Sequence, residues 1–248
     1  MFGWLSRLFK PTCPCDLAAK VWVEDRLRWL TRQFGLHVLL ERPVVLPTDE
    51  FFPDPYDGST EAARVMFRCV CGYMGVDPGD VDLKLFNTRA PGESYAAGTW
   101  RDGVVRIERG LLDRADDLIG IMAHELAHQR LIGEGRVDPD APDNELLTDL
   151  TVVFHGLGMF LANNPRKSVG ELAHWPGTRL VMPEYISEPI LAYALAHIAW
   201  HRDEARPAWA SALNWATGSA FKQGLRYLSE TGGSTFPPVR LRVHRPDG

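Results

Sequence analysis

The most constraining feature of this chain is the pentapeptide His-Glu-Leu-Ala-His at residues 124–128, which lies within an apolar stretch. Residues four apart on an α-helix are separated by only about 40° around its axis, so His124 and His128 project side by side. Two imidazoles in that position can bind one metal ion. Glu125 is turned about 100° from His124, where it cannot complete the chelate but can reach a metal-bound water as a general base. The pentapeptide therefore predicts a helix that carries part of a metal site.

The alternative interpretation is a partly buried helix whose histidines make ordinary hydrogen bonds. The flanking residues favour the metal site, because a buried active-site helix needs apolar neighbours around its histidines. Those neighbours are Leu118, Ile119, Ile121, Met122, Leu126 and Ala127. Arg130 departs from the apolar pattern, and we expect it to point to solvent just before the helix ends at Gly133.

A metal site needs a third protein ligand, and the next predicted helix offers candidates in Asn-Glu-Leu-Leu-Thr-Asp at residues 144–149. Glu145 and Asp149 are again four residues apart and share one helix face. One carboxylate can bind the metal while the other accepts a hydrogen bond from a ligating imidazole and fixes its orientation. The alternative is a pair of acids that stabilises a helix N-terminus through its dipole.

The pattern His124-Glu125-x-x-His128 followed by Glu145-x-x-x-Asp149 resembles that of the gluzincin metallopeptidases, the group that includes thermolysin. The resemblance spans residues 94–162. It implies that His124, His128 and Glu145 bind Zn²⁺, that Glu125 is the general base and that Asp149 orients a ligating histidine. It also implies hydrolysis of a peptide or protein substrate by a zinc-activated water, with the substrate extended along the hairpin that precedes the helix.

Two features separate the chain from related groups. The metzincin pattern is excluded, because Leu131 and Glu134 occupy its glycine and third histidine positions. The downstream histidine or tyrosine that stabilises the oxyanion in gluzincins has no evident counterpart. The candidates are Tyr185, His155, Tyr193 and His197, and we expect a core or surface role for each.

Two functional hypotheses therefore remain open. The first is a zinc-dependent peptidase, which the retained Glu125 favours because a purely structural zinc site has no need of that carboxylate. The second is a non-catalytic zincin-like protein whose zinc is structural or regulatory and which acts as a protein-binding module. The missing oxyanion residue favours this second hypothesis.

The remaining sequence predicts an α+β, zincin-like fold with a small antiparallel sheet, an active-site helix and a mostly helical C-terminal half. A β-hairpin across residues 94–109 would turn at Asp102-Gly103. The other predicted elements are helices at 16–34, 60–74, 114–132, 144–162, 187–201 and 207–228, a strand at 81–86 and an extended stretch at 36–47.

We expect one zincin-like domain over residues 1–231. Its parts are an N-terminal α/β part at 16–110, active-site helices at 114–162 and C-terminal helices at 187–228. Residues 232–248 are expected to form a disordered tail.

Composition limits the partners of the chain. Its net charge of -5 and pI of about 5.9 give no reason to expect a nucleic acid or an anionic membrane as partner. No stretch reaches the roughly 20 apolar residues of a membrane span. Arg7, Lys10 and Pro11 interrupt the apolar N-terminus before a signal peptide could form. We therefore expect a cytoplasmic protein, while the sequence gives no oligomeric state.

Four cysteines fall into two pairs, Cys13-Pro-Cys15 and Cys69-Val-Cys71. Four thiols can form a structural zinc site, but such sites usually place two or more residues between paired cysteines. The second pair also lies within a helix-like apolar stretch. Free, partly buried thiols in a reducing compartment are therefore expected.

Overall fold

The computed structural model describes residues 10–87, 97–163, 173–174 and 181–242. Contacts divide the chain into two compact units. The terminal unit comprises Met1–Arg42 and Gly170–Gly248, and the central unit comprises Pro43–Val169. The single domain predicted for residues 1–231 stays a prediction.

The described residues form an α+β structure. The helices are α1 (Leu17–Phe34), α2 (Leu36–Glu41), α3 (Thr60–Met74), α4 (Ala115–His128), α5 (Asn144–Phe154), α6 (Gly158–Asn163), α7 (Glu188–His201), α8 (Trp215–Thr231) and α9 (Val239–Arg242). The strands are β1 (Asp82–Phe86), β2 (Gly98–Arg101), β3 (Val104–Glu108), β4 (Ala173–His174) and β5 (Val181–Met182). None of the described helices has the length and apolar character needed to cross a bilayer.

Helix α1 of the terminal unit confirms its sequence prediction at both ends. The Asp16 carboxylate accepts a hydrogen bond of 2.8 Å from the Ala19 amide and so caps the first turn. Gly35 ends the helix with a φ of 94°, a value that glycine adopts readily. The predicted apolar face is buried, and α1 packs against α7, which in turn packs against α8. The buried face consists of Val23, Leu27, Leu30 and Phe34.

The extended stretch predicted over residues 36–47 is wrong at residues 36–41, which form helix α2, whereas Arg42 directly after the helix is extended. Its Val38 and Leu39 are buried, and the helix contacts both α1 and α7. Arg202, which follows α7, donates hydrogen bonds of 2.8 Å to the Leu39 carbonyl and 2.7 Å to the Arg42 carbonyl. A cationic side chain thus satisfies carbonyls at the C-terminal end of the short helix. Arg202 is 160 residues away from Arg42 in sequence, so local helix propensity could not reveal this contact.

The C-terminal helices differ from their predictions in one detail. Helix α7 has the predicted bounds, with Ser187 as N-cap. The helix predicted over 207–228 is divided, because a 3-10 turn at Ala208–Ala212 ends before Asn214. The Asn214 side chain then accepts from the Thr217 amide at 2.9 Å and starts α8.

The segment that follows Gly232, predicted to be disordered, packs onto the terminal unit as far as the described residues extend. Its Phe236 is buried, and the Thr235 amide and hydroxyl each donate a hydrogen bond of 2.8 Å to Glu24. Glu24 is completely buried in α1 and also pairs with Lys20 at 2.7 Å. A buried carboxylate needs such partners, and this long-range requirement orders the segment. Residues 243–248 of the predicted tail lie outside the described residues.

The sheet of the central unit is mixed rather than antiparallel. Its order is β1-β3-β2, with β2 antiparallel and β1 parallel to β3. The predicted turn is confirmed, since Asp102 and Gly103 have φ values of 49° and 77°. The direction of β1 was missed because alternating burial identifies a strand but not the direction in which it pairs. The part of the predicted hairpin at residues 94–96 lies outside the described residues.

A second difference in the central unit is the break between α5 and α6, where one helix was predicted over 144–162. Gly156 interrupts the helix with a φ of 95°, and its carbonyl accepts a hydrogen bond of 2.8 Å from the Val45 amide. A Cβ at this position would overlap the Pro43 carbonyl oxygen. The chain therefore needs glycine here to turn and to let the segment at residues 43–45 approach.

We predict that Gly156→Ala destabilises the protein by more than the backbone conformation alone explains. The substitution combines a left-handed φ with a steric overlap, and we expect it to lower the free energy of unfolding by roughly 2–4 kcal/mol. Gly135 is the matched control, since its φ is 67° but a Cβ there would have no neighbour within 4 Å. Gly135→Ala should cost only about 1 kcal/mol. Urea denaturation of both variants measures the difference, and equal losses would contradict the steric role of Pro43.

Candidate metal centre

Two neighbouring helices of the central unit carry the candidate site. The segment of α4 from Leu118 to His128 is buried throughout. The helical conformation extends to Gly133, as predicted, but its last turn, Gln129–Gly133, is π-helical. Helix α5 packs against α4, with Glu145 in its first turn and Asp149 one turn later. This packing brings His124 and His128 of α4 into contact with Glu145 and Asp149 of α5.

His124, His128 and Glu145 form a cluster that could hold a metal ion. One ligand atom from each residue lies within 4.8 Å of the others. Glu145 Oε2 is 3.1 Å from His124 Nε2, and Glu145 Oε1 is 3.5 Å from His128 Nε2. Both imidazoles are largely buried, whereas the Glu145 side chain is 35% exposed. The cluster therefore opens toward solvent on the side of Glu145.

A hydrogen bond to Asp149 fixes the orientation of the first imidazole. His124 Nδ1 lies 2.9 Å from Asp149 Oδ1, and both side chains are buried. A carboxylate accepts hydrogen bonds, so Nδ1 carries a proton and Nε2 is the ring nitrogen that faces Glu145. Nε2 lies 3.1 Å from a carboxylate oxygen of Glu145. Either a proton on Nε2 or a metal ion bound by both atoms makes this contact favourable.

Thr148 contacts Nδ1 of the second imidazole, His128, as Asp149 contacts Nδ1 of His124. Its hydroxyl donates a hydrogen bond of 2.8 Å to the Asn144 carbonyl, so the hydroxyl oxygen is an acceptor toward His128 Nδ1 at 3.4 Å. The Nε2 atom of His128 is then the ring nitrogen that faces Glu145. Thr148 lies three residues after Glu145, but the sequence reasoning gave it no role. The helical spacing of three was the available signal.

The charge of Glu145 suits a metal ligand. Burial by itself raises the pKa of this carboxyl, but hydrogen bonds and charge from His124 and His128 outweigh the burial and hold the pKa far below its ordinary value. Glu145 is therefore ionised at neutral pH. Two imidazole nitrogens and one carboxylate oxygen form a chemically consistent ligand set.

Glu125 follows His124 on α4, is buried, and lies beside strand β2. A Cβ at Gly98 would lie 2.8 Å from Glu125 Oε1 and 2.5 Å from Ile121 Cγ2. Glycine at position 98 thus lets the backbone of β2 pass directly over this face of α4. Strand β2 is one of the two outer strands of the described three-stranded sheet. The Trp100 indole on the same strand donates a hydrogen bond of 2.8 Å to Gln129, a link that the sequence did not predict.

Arg130 differs from its prediction, because its side chain is only 18% exposed. Its guanidinium pairs with Glu134 at 2.6 Å, and Arg136 pairs with the same carboxylate at 2.8 Å. The pairing allows a charged side chain to lie against the protein at the end of the buried helix. Solvent exposure was expected because a charged residue interrupts the apolar pattern at this position, and the pairing with Glu134 was not considered.

The four residues considered for oxyanion stabilisation lie outside the three-residue cluster. Tyr193, His197 and Tyr185 belong to the terminal unit, where the Tyr193 hydroxyl donates a hydrogen bond of 2.7 Å to Glu24. His197 is completely buried, and burial lowers its pKa to about 3. His155 belongs to the central unit, is also buried and packs edge-to-face with Phe154. The burial of Tyr193, His197 and His155 fits the core role expected for them.

Comparison with known proteins gives no match, whether to family models, curated proteins or solved structures. The interpretation of the site therefore rests on its own geometry and on its local motif.

We predict that Glu145 and Asp149 have separable effects on metal binding. Glu145→Ala should remove most binding of a divalent transition metal, because it deletes a ligand. Asp149→Asn should weaken binding by only about 10- to 100-fold, because it disturbs the orientation of His124. Competition with a chromophoric chelator, using Zn²⁺ and Co²⁺ as probe ions, measures both affinities. If Asp149→Asn lost more affinity than Glu145→Ala, Asp149 would be the third ligand.

Proposed function

We propose that this protein is a zincin-like, zinc-dependent peptidase in which His124, His128 and Glu145 bind Zn²⁺. One observation carries the proposal. Both imidazoles have Nδ1 engaged by a side chain on α5, so both Nε2 atoms face the ionised Glu145 carboxylate. Such an orientation of two buried histidines is typical of ligands held by a second set of hydrogen bonds.

The ligand set supports zinc over other common ions. Mg²⁺ and Ca²⁺ prefer sites built from oxygen ligands, whereas two imidazoles and one carboxylate suit zinc. Structural zinc sites are usually closed by four cysteine or histidine ligands. A set of three protein ligands, open on the side of Glu145, is instead typical of catalytic zinc.

Zinc bound to this cluster would supply Lewis acidity, which polarises a peptide carbonyl and makes water a stronger nucleophile at neutral pH. The Glu125 carboxylate would take the proton from the attacking water and deliver it to the leaving amine. Asp149 would keep His124 in the tautomer that presents Nε2. Each step uses a side chain on α4 or α5.

The substrate we propose is an extended segment of a peptide or protein. Strand β2 passes beside Glu125 and lies at the outer side of the described sheet. An outer strand offers backbone hydrogen bonds to an added strand. We also propose a cytoplasmic location, which the four free cysteines support because such thiols persist in reducing compartments.

A second candidate function is a zinc-binding protein without catalysis, acting as a protein-binding module. The burial of two candidate residues for oxyanion stabilisation favours this function. Tyr193 and His197, two of the four candidates for that role, are completely buried around Glu24. Both functions require zinc binding, and catalysis distinguishes them.

The first prediction concerns metal content. The purified full-length protein should bind about one Zn²⁺ per chain after reconstitution at neutral pH, measured by elemental analysis. His128→Ala should abolish this binding, while the control His37→Ala, at an exposed position in α2, should leave it unchanged. Failure of the wild-type protein to bind zinc would contradict both candidate functions.

The second prediction concerns catalysis. Glu125→Gln is nearly isosteric and removes no ligand, so the fold and the zinc content should be kept. Hydrolysis of peptides or unfolded proteins should fall by at least about 100-fold, as expected for the loss of a general base. Glu134→Gln is the control, since Glu134 pairs with Arg130 and Arg136 outside the cluster. It should retain wild-type activity.

The catalytic test needs one precaution, because the loops at residues 51–59 and 133–143 could cover the site. The peptide library should therefore be assayed before and after limited proteolysis of the wild-type protein. Activity that appears only after proteolysis and is lost in Glu125→Gln would indicate a latent peptidase. Zinc binding without cleavage under either condition would support the binding module.

A further inference from the structure

Two thiols lie in contact immediately before helix α1. Cys13 and Cys15 are both half-buried, and their sulfur atoms are 3.5 Å apart in a hydrogen bond. They flank Pro14 in a non-helical segment that ends at the N-cap Asp16. A spacing of two residues brings the sulfurs together here because the backbone is bent rather than helical.

Contacts with helix α8 hold this segment in place. The Gln223 amide donates hydrogen bonds of 3.1 Å to the Thr12 hydroxyl and 3.4 Å to the Cys13 carbonyl. Pro14 Cγ lies 3.4 Å from the position that a Cβ would take at Gly224. Both cysteines are therefore attached to a fixed backbone, which keeps their side chains close together.

The two thiols have different acidities. The hydrogen bond with Cys15 lowers the pKa of Cys13, against the opposing effect of burial, and the Lys20 ammonium lowers it further. The same hydrogen bond and burial raise the pKa of Cys15. Within the pair, the pKa of Cys13 therefore lies below that of Cys15. The ionised form is the nucleophile in thiol chemistry.

The second pair has the same spacing but different geometry. Cys69 and Cys71 both lie in α3, where residues two apart point about 200° away from each other. Burial raises the pKa of Cys69 and raises that of Cys71 to about 12. Cys69 and Cys71 therefore serve as an internal control for the first pair.

We propose that Cys13 and Cys15 form a peroxide-responsive dithiol that closes reversibly to an intramolecular disulfide. The proposal is independent of the metal centre, since the two cysteines belong to the terminal unit and the ligands to the central unit. It assigns a site of oxidative modification whose co-substrate is a hydroperoxide.

The chemistry is a two-electron oxidation in two steps. The Cys13 thiolate attacks one oxygen of hydrogen peroxide, which forms an S–O bond, breaks the O–O bond and releases hydroxide. The Cys15 sulfur then attacks the Cys13 sulfur, which forms the S–S bond and releases a second hydroxide. The thiol protons convert both hydroxides to water. In sum, two thiols and one hydrogen peroxide give one disulfide and two waters.

The disulfide should be easy to reduce. A bond between residues two apart closes a very short loop and removes little entropy from the unfolded chain. It therefore adds little to stability, unlike a disulfide that links distant segments. Half-exposed disulfides of this kind are readily reopened by small thiols.

The test uses the reduced full-length protein, treated with one equivalent of hydrogen peroxide and then alkylated after denaturation. Trypsin should give one peptide with both Cys13 and Cys15, because no lysine or arginine lies between them. We expect this peptide to escape alkylation and to weigh two hydrogens less than the dithiol form. The peptide with Cys69 and Cys71 should be alkylated at both thiols. Dithiothreitol should restore alkylation of the first peptide.

Variants assign the roles of the two sulfurs. Cys15→Ser should stop the reaction at a sulfenic acid on Cys13, which dimedone traps. Cys13→Ser should slow the reaction with peroxide by at least about 10-fold, whereas Cys69→Ser should leave the rate unchanged. Equal oxidation of the two peptides would overturn the proposal. A dimedone adduct at Cys15 in Cys13→Ser, formed at the wild-type rate, would also contradict it.

Discussion

The hydrogen bond between His124 and Asp149 is the interaction on which the account of the site depends. Both groups are buried, and a buried carboxylate is costly unless it is paired. The bond therefore aligns α5 against α4 and determines which nitrogen of His124 carries the proton. Glu145 lies one helical turn before Asp149, so the same alignment places its carboxylate at the Nε2 atoms of both histidines. A single helix pairing thus assembles all three candidate ligands.

The surrounding fold encloses this helix pairing on most sides. Helix α4 is buried on every side near the histidines, and β2 crosses it where Gly98 permits close approach. The result is a site packed into the protein, with solvent access on the side of Glu145. Precise ligand geometry requires packed support of this kind. A mobile surface helix with the same pentapeptide would not hold its imidazoles in one orientation.

Features determined by short stretches of sequence could be predicted. The cap at Asp16, the turn at Asp102-Gly103 and the two pairs with a spacing of four are local patterns with direct physical causes. The missed features depend on distant partners. Helix α2 relies on Arg202, and the break at Gly156 on the approach of Pro43. The direction of β1 likewise depends on the folded chain. The pairing of Arg130 with Glu134 is instead a local contact between residues four apart, and its spacing was available in the sequence. In the site itself, the role of Thr148 required knowledge of where its hydroxyl proton points.

The central claim is that one zinc ion binds between α4 and α5 through the Nε2 atoms of both histidines. Anomalous diffraction at the zinc edge, from crystals of the zinc-reconstituted protein, tests it most directly. The account predicts one strong peak at about 2.0–2.2 Å from His124 Nε2, His128 Nε2 and a Glu145 oxygen, with the Asp149 contact to Nδ1 intact. A peak bonded through Nδ1, a peak at the Cys13 and Cys15 thiols alone, or no peak at the cluster would contradict it.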